Sequence, residues 1–406
     1  MKVRVQKDSF LKGWLVAERC AATSDTLPTL TAILCNFDSE CITMESTDLK
    51  TSVRWKIPVS SLESMEKFQI LIPAKAMGEL LKKIPGDYFN LEVKDEKIII
   101  QAERSRYRLT TFPPESFPRL PNSQGATPLG IFSAEELRRL LEKGTFAGSP
   151  NEEFPQFVAG ACFDINGSSI AVVTTDTRRL ALDRGIISRE EEDRRQIIIP
   201  LRGLRELQKT IAGCDRDETI SFSMDDAQAY FGFSSGEFSI RRIATNFPTY
   251  ENLINSPRSI HAVVQKNAMV DALERLDVVV RGHNRVVILD FSESQGCVMT
   301  GRSPDVGIAT EALEAPMTGP NIRIAFNSKF LLDGIKVING ASVRMTFNGP
   351  GEHLFISDAE DSSYCYIIMP VTFPDDDQGA PSDEDYQEEN NIKDKDNFPP
   401  KKDEPF

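Results

Sequence analysis

Three basic residues, Lys75, Arg202 and Lys329, recur along the chain at a constant interval of 127 residues. Each stands two positions after a proline or an asparagine, residue types that commonly begin a helix. Their side chains are therefore expected in the first helical turn, where backbone amides also lack partners. A cation beside free amides suits the oxygens of a phosphate group. The spacing thus predicts three equivalent positions for contact with an anion.

No arrangement of residues typical of a catalytic or metal site occurs in the sequence. The three histidines, His261, His283 and His353, lack the HExxH spacing, and neither GxSxG nor a P-loop is present. The seven cysteines are scattered, mostly among apolar residues, without a CxxC pair, which is typical of reduced core residues. We therefore expect no cofactor, no metal and no intrinsic enzymatic activity.

The three basic residues belong to a repeat that runs through the chain. The segments ILIPAKAMGELLKKIPG, IIIPLRGLRELQKTIAGC and IAFNSKFLLDGIKVINGA align without gaps at the same interval. Each segment predicts the end of a strand, a helix of about three turns and a glycine that caps the helix in the left-handed conformation. The other superimposed residues are Pro73, Pro200 and Asn327; Glu79, Glu206 and Asp333; Ile84, Ile211 and Ile338; and Gly86, Gly213 and Gly340.

Each copy of the repeat also contains an opening helix and a set of strands. The opening helices are predicted in KDSFLKGWLVAERCA, SAEELRRLLEKGTFA and KNAMVDALERLDVVV, and alternating runs such as FNLEVK, TISFSM and SVRMTF predict strands. Every copy ends in Phe-Pro, and a proline ends the hydrogen-bond ladder of a strand. We therefore predict an α+β fold of three repeated domains, each with two helices packed on antiparallel sheet. Their limits lie near 1–122, 128–252 and 260–373.

Charge is distributed unevenly along the chain. The formal net charge is -14, but the segment from Pro374 onward has twelve acidic residues against four lysines. This tail, 374–406, has almost no aliphatic residues, so we expect it to be disordered. The rest of the chain is only mildly acidic and can carry a local basic surface. No apolar run approaches the roughly 20 residues of a membrane span, and we expect a soluble, cytoplasmic protein without membrane contact.

Three repeated domains in a row predict a closed assembly. Such an arc leaves an unpaired sheet edge at each end, and head-to-tail pairing of two copies about a two-fold axis removes both edges. If the helices line the inside, the repeated basic residues lie at one height in every domain. Further basic residues on the opening helices would add to this surface, or would simply be solvated: Lys12, Arg138, Arg139, Lys143 and Arg275.

Four motifs in order make the chain similar to a known family. They are TLPTL with TDL in the first copy, TTDTRRLAL in the second, NFPTYENLI before the third, and YCYIIMP at the end. With them, residues 1–373 resemble the bacterial DNA sliding clamp, the beta subunit of DNA polymerase III. The resemblance implies a six-domain homodimeric ring around duplex DNA, loaded by an ATP-driven clamp loader. It would be a non-catalytic processivity factor of the DNA-directed DNA polymerase.

The resemblance also implies specific site residues. The edge residue Tyr107 would pack near Val278 and Val279 of a second copy. A cleft for partner peptides would be formed by Val158, Thr175, Arg179, Leu180, Pro248, Leu253, Ile367, Ile368, Met369 and Pro370. The chain departs from the family pattern at Thr177 and Arg178, where glycine and histidine or a similar residue are usual, and at Asn252 and Ser24, which replace arginines.

The expected partners follow from these sites. They are double-stranded DNA of any sequence, the catalytic subunit of DNA polymerase III, the clamp loader, other proteins with a clamp-binding motif, and a second copy of the chain. The alternative function is a repeat scaffold that binds proteins and does not encircle DNA. For the acidic tail we weigh a solvated spacer against a segment that repels acidic peptides or occupies the cleft itself.

Overall fold

The structure is a computed structural model in which two compact units are distinguished. It describes residues 2–23, 27–38, 40–58, 61–62, 67–94, 97–151 and 154–373. The first unit comprises Met1–Ser256, Val337–Gly340 and Ile356–Ile367, and the second comprises Pro257–Lys336, Ala341–Phe355 and the chain from Ile368. The predicted disorder of the tail and the departure at Ser24 lie outside the described residues.

The first unit contains a sheet that is continuous through the first two repeats. Strands β4 (Thr51–Pro58) and β17 (Gly236–Arg241) pair antiparallel, with Gly236 opposite Trp55. Alternation sets the faces of these strands, because successive side chains point to opposite sides. The order is β10-β15-β16-β17-β4-β3-β2-β6. The other strands are β2 (Ala32–Phe37), β3 (Cys41–Thr47), β6 (Phe68–Pro73), β10 (Thr127–Ser133), β15 (Thr219–Met224) and β16 (Gln228–Phe233).

Two smaller groups of strands complete the sheets of this unit. One is a five-stranded sheet in the order β5-β1-β7-β8-β9, formed by β1 (Lys2–Gln6), β5 (Ser61–Leu62), β7 (Tyr88–Lys94), β8 (Lys97–Ala102) and β9 (Ser105–Thr110). The other has the order β14-β11-β12-β13, formed by β11 (Gly160–Asn166), β12 (Ser169–Thr175), β13 (Arg179–Ile186) and β14 (Arg194–Pro200). The pairings within both groups are antiparallel.

The four longer helices of the first unit each bury one apolar stripe. In α1 the buried residues Phe10, Trp14 and Ala17 recur at helical spacing. The indole Nε1 of Trp14 donates to the carbonyl oxygen of Ala74 at 3.0 Å and so joins α1 to α2. The helices are α1 (Lys7–Glu18), α2 (Ala74–Leu81), α3 (Ala134–Gly144), α4 (Leu201–Ile211) and a short α5 (Glu251–Ile254).

The second unit repeats this construction. Helices α6 (Lys266–Val280) and α7 (Ser328–Lys336) contact each other, and α6 packs on a four-stranded sheet. That sheet has the order β21-β20-β19-β23, formed by β19 (Val286–Ser292), β20 (Gly296–Ser303), β21 (Gly307–Leu313) and β23 (Ile322–Asn327). Strand β18 (Ile260–Gln265) pairs antiparallel with both β22 (Met317–Thr318) and β24 (Ser342–Phe347). Strands β25 (Leu354–Asp358) and β26 (Tyr364–Ile368) follow them in the chain.

The α+β architecture predicted from the repeat is confirmed. Each repeat has its two helices at the expected segments and antiparallel strands after them. The prediction of three left-handed glycine caps is wrong. Gly213 and Gly340 have no positive φ, and Gly86, at a φ of +76°, lies beyond Lys82, the C-terminal cap of α2. Helix α5 was not predicted. None of the described helices is both long and apolar enough to cross a membrane.

Candidate functional site

The three repeated basic residues occupy the same position in three helices. Lys75, Arg202 and Lys329 are each the second residue of their helix, α2, α4 and α7, and all three are exposed. Arg202 donates to the side-chain oxygen of Asn151 at 3.1 Å. Lys329 pairs with Asp333 one turn along at 2.8 Å. The structure therefore presents three solvent-accessible cations at helix N-termini.

The amides beside these cations differ between the helices. Pro73 and Pro200 precede α2 and α4. A proline side chain cannot accept a hydrogen bond, so no capping side chain binds the first-turn amides of these two helices. In α7 the Oδ1 of Asn327 accepts from the amides of Lys329 and Phe330 at 3.0 and 3.3 Å. An anion at α7 would thus be held by the Lys329 side chain more than by backbone.

The further basic residues of the opening helices are less available. Lys12 on α1 is exposed. Arg138 donates to the carbonyl oxygens of Ile211 and Cys214 at 2.9 and 3.4 Å. Arg275 forms a two-point pair with Glu311 at 2.7 and 2.8 Å. Both arginines are therefore bound within the protein, which makes them less available to a ligand.

The prediction that Lys143 faces a ligand is wrong. Lys143 is 3% exposed. Its ammonium nitrogen lies 3.9 Å from a carboxylate oxygen of Asp361 and 5.9 Å from the ring centre of Tyr364. Arg139, beside it on α3, donates to the fully buried Asp183 at 2.6 Å. Burial raises the pKa of Asp183 to about 6, although Arg139 and Lys143 act to lower it. Arg139 and Lys143 thus belong to a buried charge cluster.

The predicted cleft residues of β12 and β13 are held by a tight hairpin. The Oγ1 of Thr175 donates to the carbonyl oxygen of Arg179 at 2.6 Å, and Oδ1 of Asp176 accepts from the amides of Arg178 and Arg179. Asp176 also binds the guanidinium of Arg179 at 3.0 Å. Thr177 has a φ of +73°, a conformation that glycine adopts at lower cost.

The same hairpin occurs in the first repeat. The Oγ1 of Thr47 donates to the carbonyl oxygen of Thr51 at 2.9 Å, and Asp48 accepts from the amides of Lys50 and Thr51. Leu49 has a φ of +69° and takes the place of Thr177. Thr51 and the following serine stand where the second repeat has Arg179 and Leu180. The two hairpins therefore share a backbone but present different side chains.

The segment Phe247–Asn255 covers the face of the sheet on which Leu180 lies. Phe247 packs edge-on against Phe157 at 5.9 Å between ring centres, which brings this segment beside Val158. The hydroxyl of Tyr250 donates to Oδ2 of Asp164 at 2.7 Å. Val158 and Leu180 are buried, whereas Pro248 and Leu253 are exposed and Asn252 lies on the solvent side of α5. The structure thus places six of the predicted cleft residues, counting Thr175 and Arg179, around β12, β13 and this segment.

The remaining cleft residues lie at the end of the last strand. Ile367 and Ile368 are buried, Pro370 is half-buried, and Met369 is 45% exposed. In the second unit the amide of Val371 donates to the carbonyl oxygen of Ala325 at 2.9 Å, which holds the chain after Met369 against β23. Met369 is the apolar side chain that this segment offers to solvent.

The residues predicted for a dimer lie at exposed edges. Tyr107 is half-buried on β9, the outermost strand of the five-stranded sheet. Val278 is 56% exposed and Val279 half-buried on α6. Beside α6, the outermost strand β21 exposes Ile308 at 64%. Each unit therefore has an unpaired strand edge with apolar residues beside it.

One polar cluster was missed from the sequence. Asp164 lies within the apolar strand GACFDIN and accepts from Arg194, Gln196 and Tyr250. Burial alone would raise the pKa of Asp164, but these hydrogen bonds outweigh it and hold the pKa below its ordinary value. Arg194 also pairs with Glu251. An aspartate among apolar residues was the available signal, because a buried carboxylate requires partners.

The described residues contain no cluster that fits a metal. No group of three or more histidine, cysteine, aspartate or glutamate side chains among them could hold an ion. The seven cysteines are free, and five of them are buried.

Three family models match the chain in sequence order. They are the DNA polymerase III beta subunit N-terminal domain over residues 1–121, the central domain over 132–249 and the C-terminal domain over 252–372. Together they cover most of the chain and end before the acidic tail.

Curated relatives and solved structures agree with these matches. The beta sliding clamp of Pseudomonas aeruginosa is 24% identical over 374 residues, which are 91% of this chain and 100% of the relative. That of Bacillus subtilis is 25% identical over 379 residues, 91% of this chain and 99% of the relative. The crystal structure of the Bacillus subtilis DNA polymerase sliding clamp has a TM-score of 0.86 at 24% identity and covers 92% of this chain and 100% of that one. The Pseudomonas aeruginosa sliding clamp bound to griselimycin has a TM-score of 0.86 at 23% identity, with coverage of 92% and 100%.

Proposed function

Because the chain belongs to the family of DNA polymerase III beta subunits, we propose that two copies close head to tail into a six-domain ring around duplex DNA. The family is that of the non-catalytic sliding clamp, and the chain is a processivity clamp of the replicative polymerase. A closed ring keeps its partner on the template by topology, so it needs no tight grip on DNA. We place the protein in the cytoplasm with the nucleoid.

We assign the DNA contact to the exposed second residues of α2, α4 and α7. The observation that carries this assignment is the equivalence of Lys75, Arg202 and Lys329 at three helix N-termini. Such cations address phosphates, which are alike at every base pair, so binding is independent of sequence. Lys12 joins this set, while Arg138, Arg139 and Arg275 are largely engaged within the protein.

We assign partner binding to the groove beside Leu180 and the segment Phe247–Asn255. An apolar peptide segment would lie on Leu180 and Leu253, and Arg179 would meet a polar or carboxylate group. The guanidinium of Arg179 is held in place by Asp176, which reduces the entropy lost on binding. The partners are the catalytic subunit of DNA polymerase III, the clamp loader and other proteins with the clamp-binding motif.

We assign ring closure to the exposed strand edges. Tyr107 on β9 of one copy would pack near Val278 and Val279 on α6 of the other. Two apolar side chains beside an unpaired edge favour such a contact, because pairing satisfies the free backbone groups of the edge strand. This contact accounts for the exposure of Val278 in a single chain.

The test is retention on circular DNA. The clamp is loaded by a clamp loader onto nicked circular duplex and separated by gel filtration, before and after the circle is cut once. We expect retention on circles and loss from the linear product. Retention on both forms, or on neither, would contradict the ring and favour a scaffold that does not encircle DNA.

A charge-reversed variant tests the inner surface in the same assay. Changing Lys75, Arg202 and Lys329 to glutamate should reduce loading on any sequence. In a dimer it removes six contacts, so the slope of log affinity against log salt on linear duplex should fall by about five. The matched control changes the exposed Lys94, Lys97 and Arg195 to glutamate, with the same change in charge and little expected effect. Equal losses in both variants would show that net charge alone is responsible.

A further inference from the structure

A pocket of about 290 Å³ lies beside the C-terminal half of the segment Phe247–Asn255. Its floor is apolar, formed by Ala171, Leu182 and Ile254. Its rim includes Arg184, Arg194 and Asn255. The proposed peptide groove does not use this pocket.

The pocket and the peptide groove share one face of the sheet. In β12 and β13, Thr175 pairs with Leu180, Val173 with Leu182, and Ala171 with Arg184. The residues between them face α3, since Thr174 donates to the carbonyl oxygen of Gly144 and Asp183 binds Arg139. Because side chains alternate between faces, Leu180, Leu182 and Arg184 form one row away from the helices. This row begins at Leu180, a predicted groove residue, and ends at Arg184, which lines the pocket.

The electrostatics of the pocket leave one cation unpaired. Arg194 is bound to Asp164 at 2.9 Å and also to Glu251, and Asp164 further accepts from Tyr250. The two carboxylates of the pocket are therefore both hydrogen-bonded, although they share a single guanidinium. The guanidinium of Arg184 has no hydrogen-bond or ion-pair partner among the residues that the structure describes. Arg184 is therefore the charged side chain of the pocket that remains available to a ligand.

We propose that this pocket is an accessory subsite that takes an acidic side chain of the partner peptide, with its carboxylate on Arg184. The inference rests on the proposed peptide groove and names a further feature of the peptides that bind there. A glutamate suits the site because its methylene groups can lie on the half-buried Ala171 and Ile254 while its carboxylate meets the guanidinium. A basic side chain would find no free carboxylate there.

The strand sets the position of this residue in the peptide. Leu180 and Arg184 are four residues apart on β13, which corresponds to about 13 Å at the rise of a strand. An extended peptide covers that distance in about four residues. The acidic residue should thus stand about four positions from the apolar side chain seated on Leu180.

The experiment measures binding of fluorescein-labelled peptides to the full chain by anisotropy. Each peptide carries a Leu-Leu-Phe segment flanked by serine and glycine, with glutamate or glutamine placed at successive positions on either side. We expect glutamate about four positions away, on one side, to improve affinity about twofold to fivefold over glutamine, as for a solvent-accessible ion pair. The gain should disappear in Arg184→Ala and persist in Arg205→Ala, which removes an exposed arginine of α4 on the helix side.

A reversed pair provides the second arm. Arg184→Glu should prefer a lysine at the same peptide position, and this reversal should weaken at high salt. Equal affinity of glutamate and glutamine peptides at every position, or a gain that survives in Arg184→Ala, would overturn the subsite. Failure of even the peptide without a charged residue to bind would instead overturn the groove, and the subsite with it.

Discussion

Replacing Tyr250 with phenylalanine should loosen the segment that forms one wall of the peptide groove. Tyr250 is 6% exposed, and its hydroxyl donates to Oδ2 of Asp164 at 2.7 Å. A hydrogen bond to a charged group is worth about 1.5–3 kcal/mol. Asp164 keeps its donors Arg194 and Gln196 in the variant, so we expect a loss of about 1–2 kcal/mol in the free energy of local opening. Amide exchange over 247–255 should accelerate about 5-fold to 30-fold.

The assay is hydrogen exchange followed by mass spectrometry on the full chain. Tyr230→Phe is the matched control, because Tyr230 donates to Asp225 at 2.6 Å outside this segment. It should leave protection of 247–255 unchanged. Peptide affinity should fall several-fold in Tyr250→Phe only, since Pro248 and Leu253 lose their fixed position. Unchanged exchange over 247–255 in Tyr250→Phe, or equal acceleration in both variants, would refute the role given to this hydrogen bond.

The pH dependence of this effect has a definite sign. The pKa of Asp164 is lower in the folded protein than in the unfolded chain, because its hydrogen bonds outweigh burial. The carboxylate therefore stabilises the fold above the unfolded pKa of about 4, and this stabilisation is lost as the pH falls through the lower folded pKa. The difference between Tyr250→Phe and the unchanged protein should accordingly be full at neutral pH and shrink in acid.

Three further outcomes are expected. Tyr107→Ala combined with Val279→Asp should give monomers by light scattering, and a stable dimer would contradict the edge-to-edge contact. Deleting Met369–Phe373 should abolish binding of the apolar peptide in anisotropy while light scattering still gives a dimer; retained peptide affinity would show that this segment does not contribute to peptide binding. Burial raises the pKa of Asp183 to about 6, so the charged form costs stability as the pH rises from about 4 through 6, and Asp183→Asn should flatten the dependence of the urea midpoint in that range. An unchanged dependence would show that Arg139 already compensates for the burial of Asp183.

The repeated elements were predictable because they depend on local chemistry. Helices α2, α4 and α7 begin at the predicted proline or asparagine and carry their basic residue at the same position. Apolar stripes and alternating strands are signals within one segment, so the antiparallel α+β repeat followed from them. The glycine caps failed because α4 and α7 end in turns that need no positive φ at glycine, and Gly86 lies beyond the C-terminal cap of α2.

The charged residues were less predictable because their partners are distant in sequence. As a lysine on an amphipathic helix, Lys143 is expected at the surface, yet Asp361 and Tyr364 cover it. The sequence also does not distinguish Arg184 from Arg194. Arg194 is bound to Asp164 and Glu251, whereas the guanidinium of Arg184 has no partner among the described residues. Only the arrangement of strands in space distinguishes a structural arginine from one available to a ligand.

The hairpins of the first and second repeats have a consequence for how binding can be altered. Their loops are held by the same threonine and aspartate hydrogen bonds, with Leu49 and Thr177 in the same backbone conformation. The backbone conformation of the loop is thus the same whichever side chains follow it. Changes at Arg179 and Leu180 can therefore give a new preference for partners without disturbing the frame. The first repeat has Thr51 in place of Arg179, so it provides the same hairpin backbone without the recognition side chain.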